Sequence, residues 1–186
     1  MTFLLSLIIA APIRILVLLV EDYDAVDRAY TEYVMATAAF VFKRDAHLRI
    51  RYRIRSTSKI SHEDFRSLDQ REEEYEAWKK VVKRQKGYKG WIRYVAVPQY
   101  YTTDGCTWSA GYAGAFAFGV IRTHETCIGA DRFNCSWIVL AHEVLHVLGA
   151  SHIDGVPNVM HPAACIYHEL GTDLRILPET RKEIRR

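Results

Sequence analysis

The 186-residue chain has no CxxC pair, no internal repeat and no low-complexity segment. The first absence argues against a structural zinc knuckle. Excess charge is also scarce. Against 22 acidic residues stand 25 Lys and Arg, and the resulting +3 is too small to argue for a nucleic-acid partner. No uninterrupted apolar stretch could form a membrane span, because Pro12 and Arg14 break the run from Phe3 to Val20. Cysteines number only four: Cys106, Cys127, Cys135 and Cys165. An even count fits two disulfides in a secreted protein. Three pairings are open, and four buried free thiols are the other reading.

The length suits one domain with a real core, and 49% apolar with 25% charged residues is ordinary globular composition. Phe3 to Ala11 is an apolar run of signal-peptide length ending in Ala10-Ala11, although no Lys or Arg precedes it and Ile9 is not small. The expectation is a signal peptide over residues 1–11 and one domain over 12–186. The competing reading makes both halves core.

Ile13 to Val20 is rich in β-branched residues and reads as a strand covered on both faces. Val26, Tyr30, Tyr33, Thr37 and Phe40 recur at helical spacing. His47 to Arg55 alternates, with Leu48, Ile50, Tyr52 and Ile54 on one side and Arg49, Arg51, Arg53 and Arg55 on the other. That is a half-buried strand whose arginines form a solvated face or bind an anionic polymer such as heparin. Ser61 opens a capping box for a helix marked by Phe65, Leu68, Tyr75, Trp78 and Val82 and stopped at Gly87. Trp91 to Val97 is a strand closed by Pro98, and Gly111 to Ile121 reads as a glycine-rich extended edge or a loop. Trp137 to Leu148, capped by Asn134 or Ser136, is apolar nearly all round and reads as a buried helix. Pro178 to Arg186 is a last short helix. The order of elements predicts a mixed α/β (α+β) sandwich.

The buried helix carries the chemistry, in the string AHEVLHVLGASH from Ala141 to His152. His142 and His146 lie one turn apart, so both rings project from one face and can share a metal ion. Glu143 points about 100° away around the axis, beside that ion, as a base for water must. Gly149 can stop the helix in a left-handed conformation, and the chain then brings His152 back. Three histidines leave a fourth tetrahedral position open, the mark of a catalytic zinc site. Five fixed positions in HExxHxxGxxH arise by chance on the order of 10⁻⁷ to 10⁻⁶ per start position.

HEVLHVLGASH resembles the metzincin metalloprotease signature. Asn158-Val159-Met160-His161-Pro162 follows, and Met160 looks like the methionine of the turn that lies beneath the zinc in that family. Within the metzincins the chain is most similar to the reprolysin (adamalysin) group, of the salivary and venom metalloprotease type. The strand at Ile15 to Val20, the tryptophan in Tyr75 to Lys80 and the cysteine-glycine segment before the zinc helix carry that likeness, over roughly Ile13 to Arg186. There are departures. Ile153 separates His152 from Asp154, where the group usually has Asp directly after the third histidine. Asn158 stands where many members have cysteine, and no tyrosine follows His161 as in astacins.

The resemblance implies a twisted mixed sheet with helices, a buried zinc helix and a small irregular C-terminal subdomain with the Met160 turn. It implies one catalytic Zn²⁺ on His142, His146 and His152, with Glu143 as base, and a secreted, monomeric metalloendopeptidase. No latency propeptide is expected, since none fits between the apolar run and the first strand. An extended protein or peptide substrate would pair with the edge around Gly111, Ala113, Gly114 and Ala115. Tyr167 is a weaker candidate as an oxyanion donor, and a rim tyrosine is its simpler reading. Two rivals stand beside this: a secreted zinc-containing binding protein without proteolysis, and a gluzincin-type site with Glu169 as third ligand.

Overall fold

Ile15 to Leu19 are all at most 1% exposed, as only a strand sandwiched between two layers can be. The structure, a computed structural model, describes residues 11–19, 25–56, 71–98, 111–113, 117–122, 136–162, 164, 167 and 171–184. Its elements are β1 (Ile13–Leu19), α1 (Ala25–Ala46), β2 (Ile50–Ser56), α2 (Arg71–Lys83), β3 (Ile92–Pro98), β4 (Gly111–Ala113), β5 (Ala117–Arg122), α3 (Ser136–Val147) and α4 (Pro178–Glu183). The sheet runs β2-β1-β3-β5-β4. Four strands are parallel, and β4 alone pairs antiparallel, at the edge. The expected mixed α/β architecture is met.

Register assigns each strand residue to a face. Ile13, Ile15 and Val17 of β1 stand beside Ile50, Tyr52 and Ile54 of β2, and Ile15 and Val17 beside Ile92 and Tyr94 of β3. This face joins α1 and α3 in the main core. The opposite face carries Arg14, Leu16 and Leu18 beside Arg51, Arg53 and Arg55. Its buried residues, Leu16, Leu18 and Val95, lie outside the main core, as do Trp78 and Val82 of α2 and Tyr88. That places α2 on the second face.

Two readings change. The helix α1 forms, but it buries Val34, Met35, Ala38, Val41 and Phe42, and leaves Tyr33 53% and Phe40 62% exposed. Its sequence is apolar around most of its circumference, so spacing alone did not choose the face. The segment from Gly111 to Ile121 is a hairpin in place of one edge strand, with Ala113 paired to Ala117 and Gly111 to Gly119. Of these two strands β4 is the one at a sheet edge among the described residues, and Gly114 and Ala115 lie outside them. The same holds for residues 1–10, the Ser61 cap, Asn134, Glu169 and all four cysteines. No helix among the described residues is long and apolar enough to cross a membrane.

The described residues from 148 to 177 are irregular apart from short turns and helical positions at Ala164 and Tyr167, and α4 follows. They are not loosely attached: Val159, Met160, Ala164, Leu174 and Ile176 are buried in the main core. Asp45, at the end of α1, has a side chain only 4% exposed and accepts the Ile176 N–H at 3.1 Å, with Arg44 and Arg175 beside it. Burial disfavours that carboxylate, but these donors outweigh it and hold its pKa below the usual carboxylate value.

Candidate metal centre

α3 is apolar because it lies between the sheet and α1: Ser136 to Ala141 and Glu143 to Leu145 are all buried. It packs against β5, β4 and α1. His142 and His146 are half-buried at its exposed rim. The helix then ends as the sequence predicts. Gly149 takes φ 101°, its N–H donates to His146 O at 2.9 Å, and the Ala150 N–H donates to Leu145 O at 3.0 Å. This paired closure is a Schellman stop, and it requires the left-handed residue. It redirects the chain so that His152 returns to the helix.

The three histidines meet through their Nε2 atoms. His142 to His146 is 3.0 Å, His142 to His152 is 3.1 Å and His146 to His152 is 3.1 Å. His142 Nδ1 lies 2.8 Å from Val159 O, and His146 Nδ1 lies 2.8 Å from Ala150 O. A carbonyl only accepts, so both Nδ1 atoms carry protons. In the neutral rings both Nε2 atoms are then bare lone pairs, facing each other at hydrogen-bond distance with no hydrogen between them. Such a cluster is satisfied by a cation. Burial lowers the pKa of His142 to about 4, with His146 and His152 adding to the shift. His146 is lowered too, again chiefly by burial. Both rings are therefore neutral ligands at neutral pH. Tetrahedral zinc with bonds of about 2.0–2.1 Å spaces its nitrogens about 3.3 Å apart, so this donor set fits zinc after a small spreading.

The turn after His152 is stitched to the site. Asn158, 0% exposed, donates to Ile153 O at 2.9 Å and to Val156 O at 2.7 Å, and its Oδ1 accepts the Met160 N–H at 2.7 Å. The Ile153 N–H donates to Met160 O at 3.2 Å. Asn158, a departure from the reprolysin pattern, thus ties the loop internally and sets the Val159 carbonyl that orients His142. Met160 is fully buried in the main core. Ser151 N–H donates to Glu183 Oε2 at 2.7 Å, which fastens the residue before His152 to α4.

Glu143 is 7% exposed and lies near enough to Tyr94 of β3 to act on it electrostatically. Burial, and then the Glu143 charge, push the Tyr94 phenol well above its ordinary pKa, and its hydroxyl has no hydrogen-bond partner among the described residues. Asp154 is exposed. Tyr167 stacks edge-on against His161, with ring centres 4.8 Å apart, and is half-buried. His47 is exposed, and His62, His124 and His168 lie outside the described residues.

Sequence reasoning missed Val159 O, Ala150 O, Asn158, Tyr94 and Glu183. Backbone acceptors leave no trace in residue identity. Asn158 was visible only as a departure, though asparagine readily bonds to the backbone two residues on.

No protein-family profile matches the sequence, and no curated protein matches it. Among solved structures, metalloproteinase-II from Bacteroides fragilis superposes with a TM-score of 0.58 at 15% identity, over 94% of this chain and 52% of that one. The chain thus spans about half the length of that protein. The likeness is one of fold, and the fold is metzincin-like: a small parallel sheet with an antiparallel edge strand, packed against the helix that carries the histidines.

Proposed function

We propose that the chain is a secreted zinc-dependent metalloendopeptidase of metzincin type, nearest the reprolysins. One observation carries the reading: two Nε2 lone pairs, fixed by protonated Nδ1 atoms, converge with His152 on one point, and a buried carboxylate, Glu143, follows His142 on the same helix. His142, His146 and His152 would hold the ion. Zinc, when bound there, supplies Lewis acidity toward water and toward a peptide carbonyl.

The protein's own residues do the rest. Glu143 accepts the proton of the attacking water and delivers it to the leaving amine, as general acid–base groups do. Its low exposure keeps bulk water from competing for that proton. The side of β4, Gly111 to Ala113, that is unpaired among the described residues offers main-chain groups to an extended peptide, and Gly114 and Ala115 continue that segment in sequence. Met160 packs beneath the ligands and supports them by volume. Paired cysteines and a monomeric extracellular enzyme complete the proposal.

The competing reading is a zinc-containing binding protein. Measuring bound zinc and hydrolysis of a generic protein substrate on the same preparations separates the two. In Glu143→Ala, zinc content should equal wild type while activity falls by at least about 10²–10⁴. Equal activity in both proteins removes Glu143 from the chemistry. Zinc in both with activity in neither, across many substrates, favours the binding protein.

A further inference from the structure

We propose that the arginine face of the sheet is a docking site for a linear sulfated polysaccharide, separate from the histidine centre. Arg51, Arg53 and Arg55 are exposed on one side of the edge strand β2, and register sets Arg14 beside Arg51. Residues two apart on a strand repeat every ~6.6 Å, so the row presents guanidiniums over roughly 13 Å. Like charges side by side on a sheet cost stability. Arg28 by contrast meets Glu32, while Arg44 and Arg175 meet Asp45 and Asp173. Among the described residues, none of Arg14, Arg51, Arg53 or Arg55 forms an ion pair.

Three of the four are oriented instead by aromatic rings. Arg14 and Arg53 lie 5.7 and 5.9 Å from the Trp91 ring centre, and Arg55 lies 5.9 Å from that of Tyr88. Cation–π contacts fix a guanidinium without consuming its charge, which lowers the ordering cost when an anion arrives. The row continues into an open groove of about 570 Å³ lined by Arg28, Glu32, Tyr52, Arg53, Arg55 and Tyr88. Several fixed forks in a line suit a polymer that repeats strong anions along its length.

The other polyanions fit less well. Single-stranded nucleic acid needs open aromatic faces for its bases, and here the rings already carry guanidiniums. An acidic peptide added as a strand to β2 would need its outer main-chain groups. Arg28 Nη2 already donates to one of them, Ile54 O, at 3.4 Å.

The test is binding of size-defined heparin fragments to the full chain across a salt series, with thermal melts to confirm folding. Arg51→Gln/Arg53→Gln/Arg55→Gln should lose at least tenfold in affinity, with a salt slope about two to three smaller. Lys43→Gln/Arg181→Gln/Lys182→Gln removes the same charge elsewhere and should bind within twofold of wild type. The triple Arg→Lys variant keeps the charge and should bind several-fold more weakly than wild type. Equal loss in the two Gln variants would reduce the site to diffuse charge and overturn the proposal. So would undiminished binding of the Lys variant or of desulfated heparin. RNA that displaces heparin with equal affinity would reassign the face to nucleic acid. None of these readouts depends on proteolysis or on zinc.

Discussion

Two places in this molecule gather groups that gain nothing from one another. On α3 and the loop after it, three imidazoles aim their Nε2 atoms at a common point. On the far face of the sheet, arginines stand side by side along β1 and β2. In the first set His142 and His146 are half-buried, lowered in pKa and held by backbone carbonyls. The second is exposed, permanently charged and held by rings. Convergent lone pairs call for a cation and parallel guanidiniums for an anion. The fold thus sets two opposite demands on opposite sides of one sheet, and each can be broken without the other.

The largest break is His152→Ala. Structural zinc sites are worth about 10–16 kcal/mol over four ligands, so one ligand of three carries roughly 3–4 kcal/mol and its loss should weaken zinc binding several-hundredfold. The arginine face should be untouched. Competitive titration against a zinc chelator measures the first and heparin affinity the second. Zinc affinity unchanged in the variant would remove His152 from the ligand set and revive Glu169 as the third ligand.

Next in size is Asn158→Ala. Its side chain makes three hydrogen bonds within a turn that is itself buried at Asn158, Val159 and Met160. Removing it leaves two carbonyls and one N–H without that partner, a cost of about 2–3 kcal/mol. The variant should melt earlier and also bind zinc more weakly, because Val159 O would no longer hold His142 in place. Denaturant unfolding of the metal-free protein gives the first quantity. An unchanged midpoint would show that the turn is held by its apolar residues alone.

How much of this could be read from the sequence differs between the two regions. The strand β1 was legible because burial on both faces demands an apolar run with no alternation. The histidine centre was legible because one helical turn and a glycine stop fix where three rings must go. The face of α1 was not, since its apolar residues surround the axis and only the layer it meets decides. Nor was the antiparallel pairing of β4 and β5, because glycine-rich strands carry little pattern. The alternation of β2 gave the arginine row at once. It gave no sign that Trp91 and Tyr88, some forty residues later, would come to hold the guanidiniums.

Acid should act on one region alone. The His142 pKa is depressed by burial to about 4 in the folded chain, against about 6.5 when unfolded. The unfolded chain therefore binds a proton that the folded chain refuses. Stability is full above pH 6.5 and falls as pH drops through the window toward 4, by on the order of 2 kcal/mol between pH 7 and 5. The His146 shift works in the same direction. Denaturant melts of metal-free protein at the two pH values read this out, and zinc should be lost over the same window because protons compete for the same nitrogens. Heparin affinity should stay level, since guanidinium does not titrate there. Stability that rises on acidification would mean the rings are charged in the fold, against the lone-pair assignment.

The smallest effect sharpens the comparison most, because it asks how far the support of the histidines extends. Glu183 sits at the end of α4, remote in sequence, and its carboxylate accepts the Ser151 N–H at 2.7 Å, one residue before His152. Both groups are exposed, so water can replace the bond and the stability cost should be under about 1 kcal/mol. Its value lies in position. His152 is the exposed ligand of the three, and its two neighbours in the site are each fixed through Nδ1 to a carbonyl. If the Glu183 contact is what limits the freedom of the loop, Glu183→Ala should weaken zinc about twofold to fivefold with little change in melting. Glu183→Gln should restore most of the affinity, because an amide oxygen can still accept. Heparin binding should not respond to either. Equal loss in both variants would indicate that the carboxylate charge acts through space and that the hydrogen bond is incidental. No loss in either would show that the Gly149 stop and the Asn158 turn alone suffice to bring His152 back.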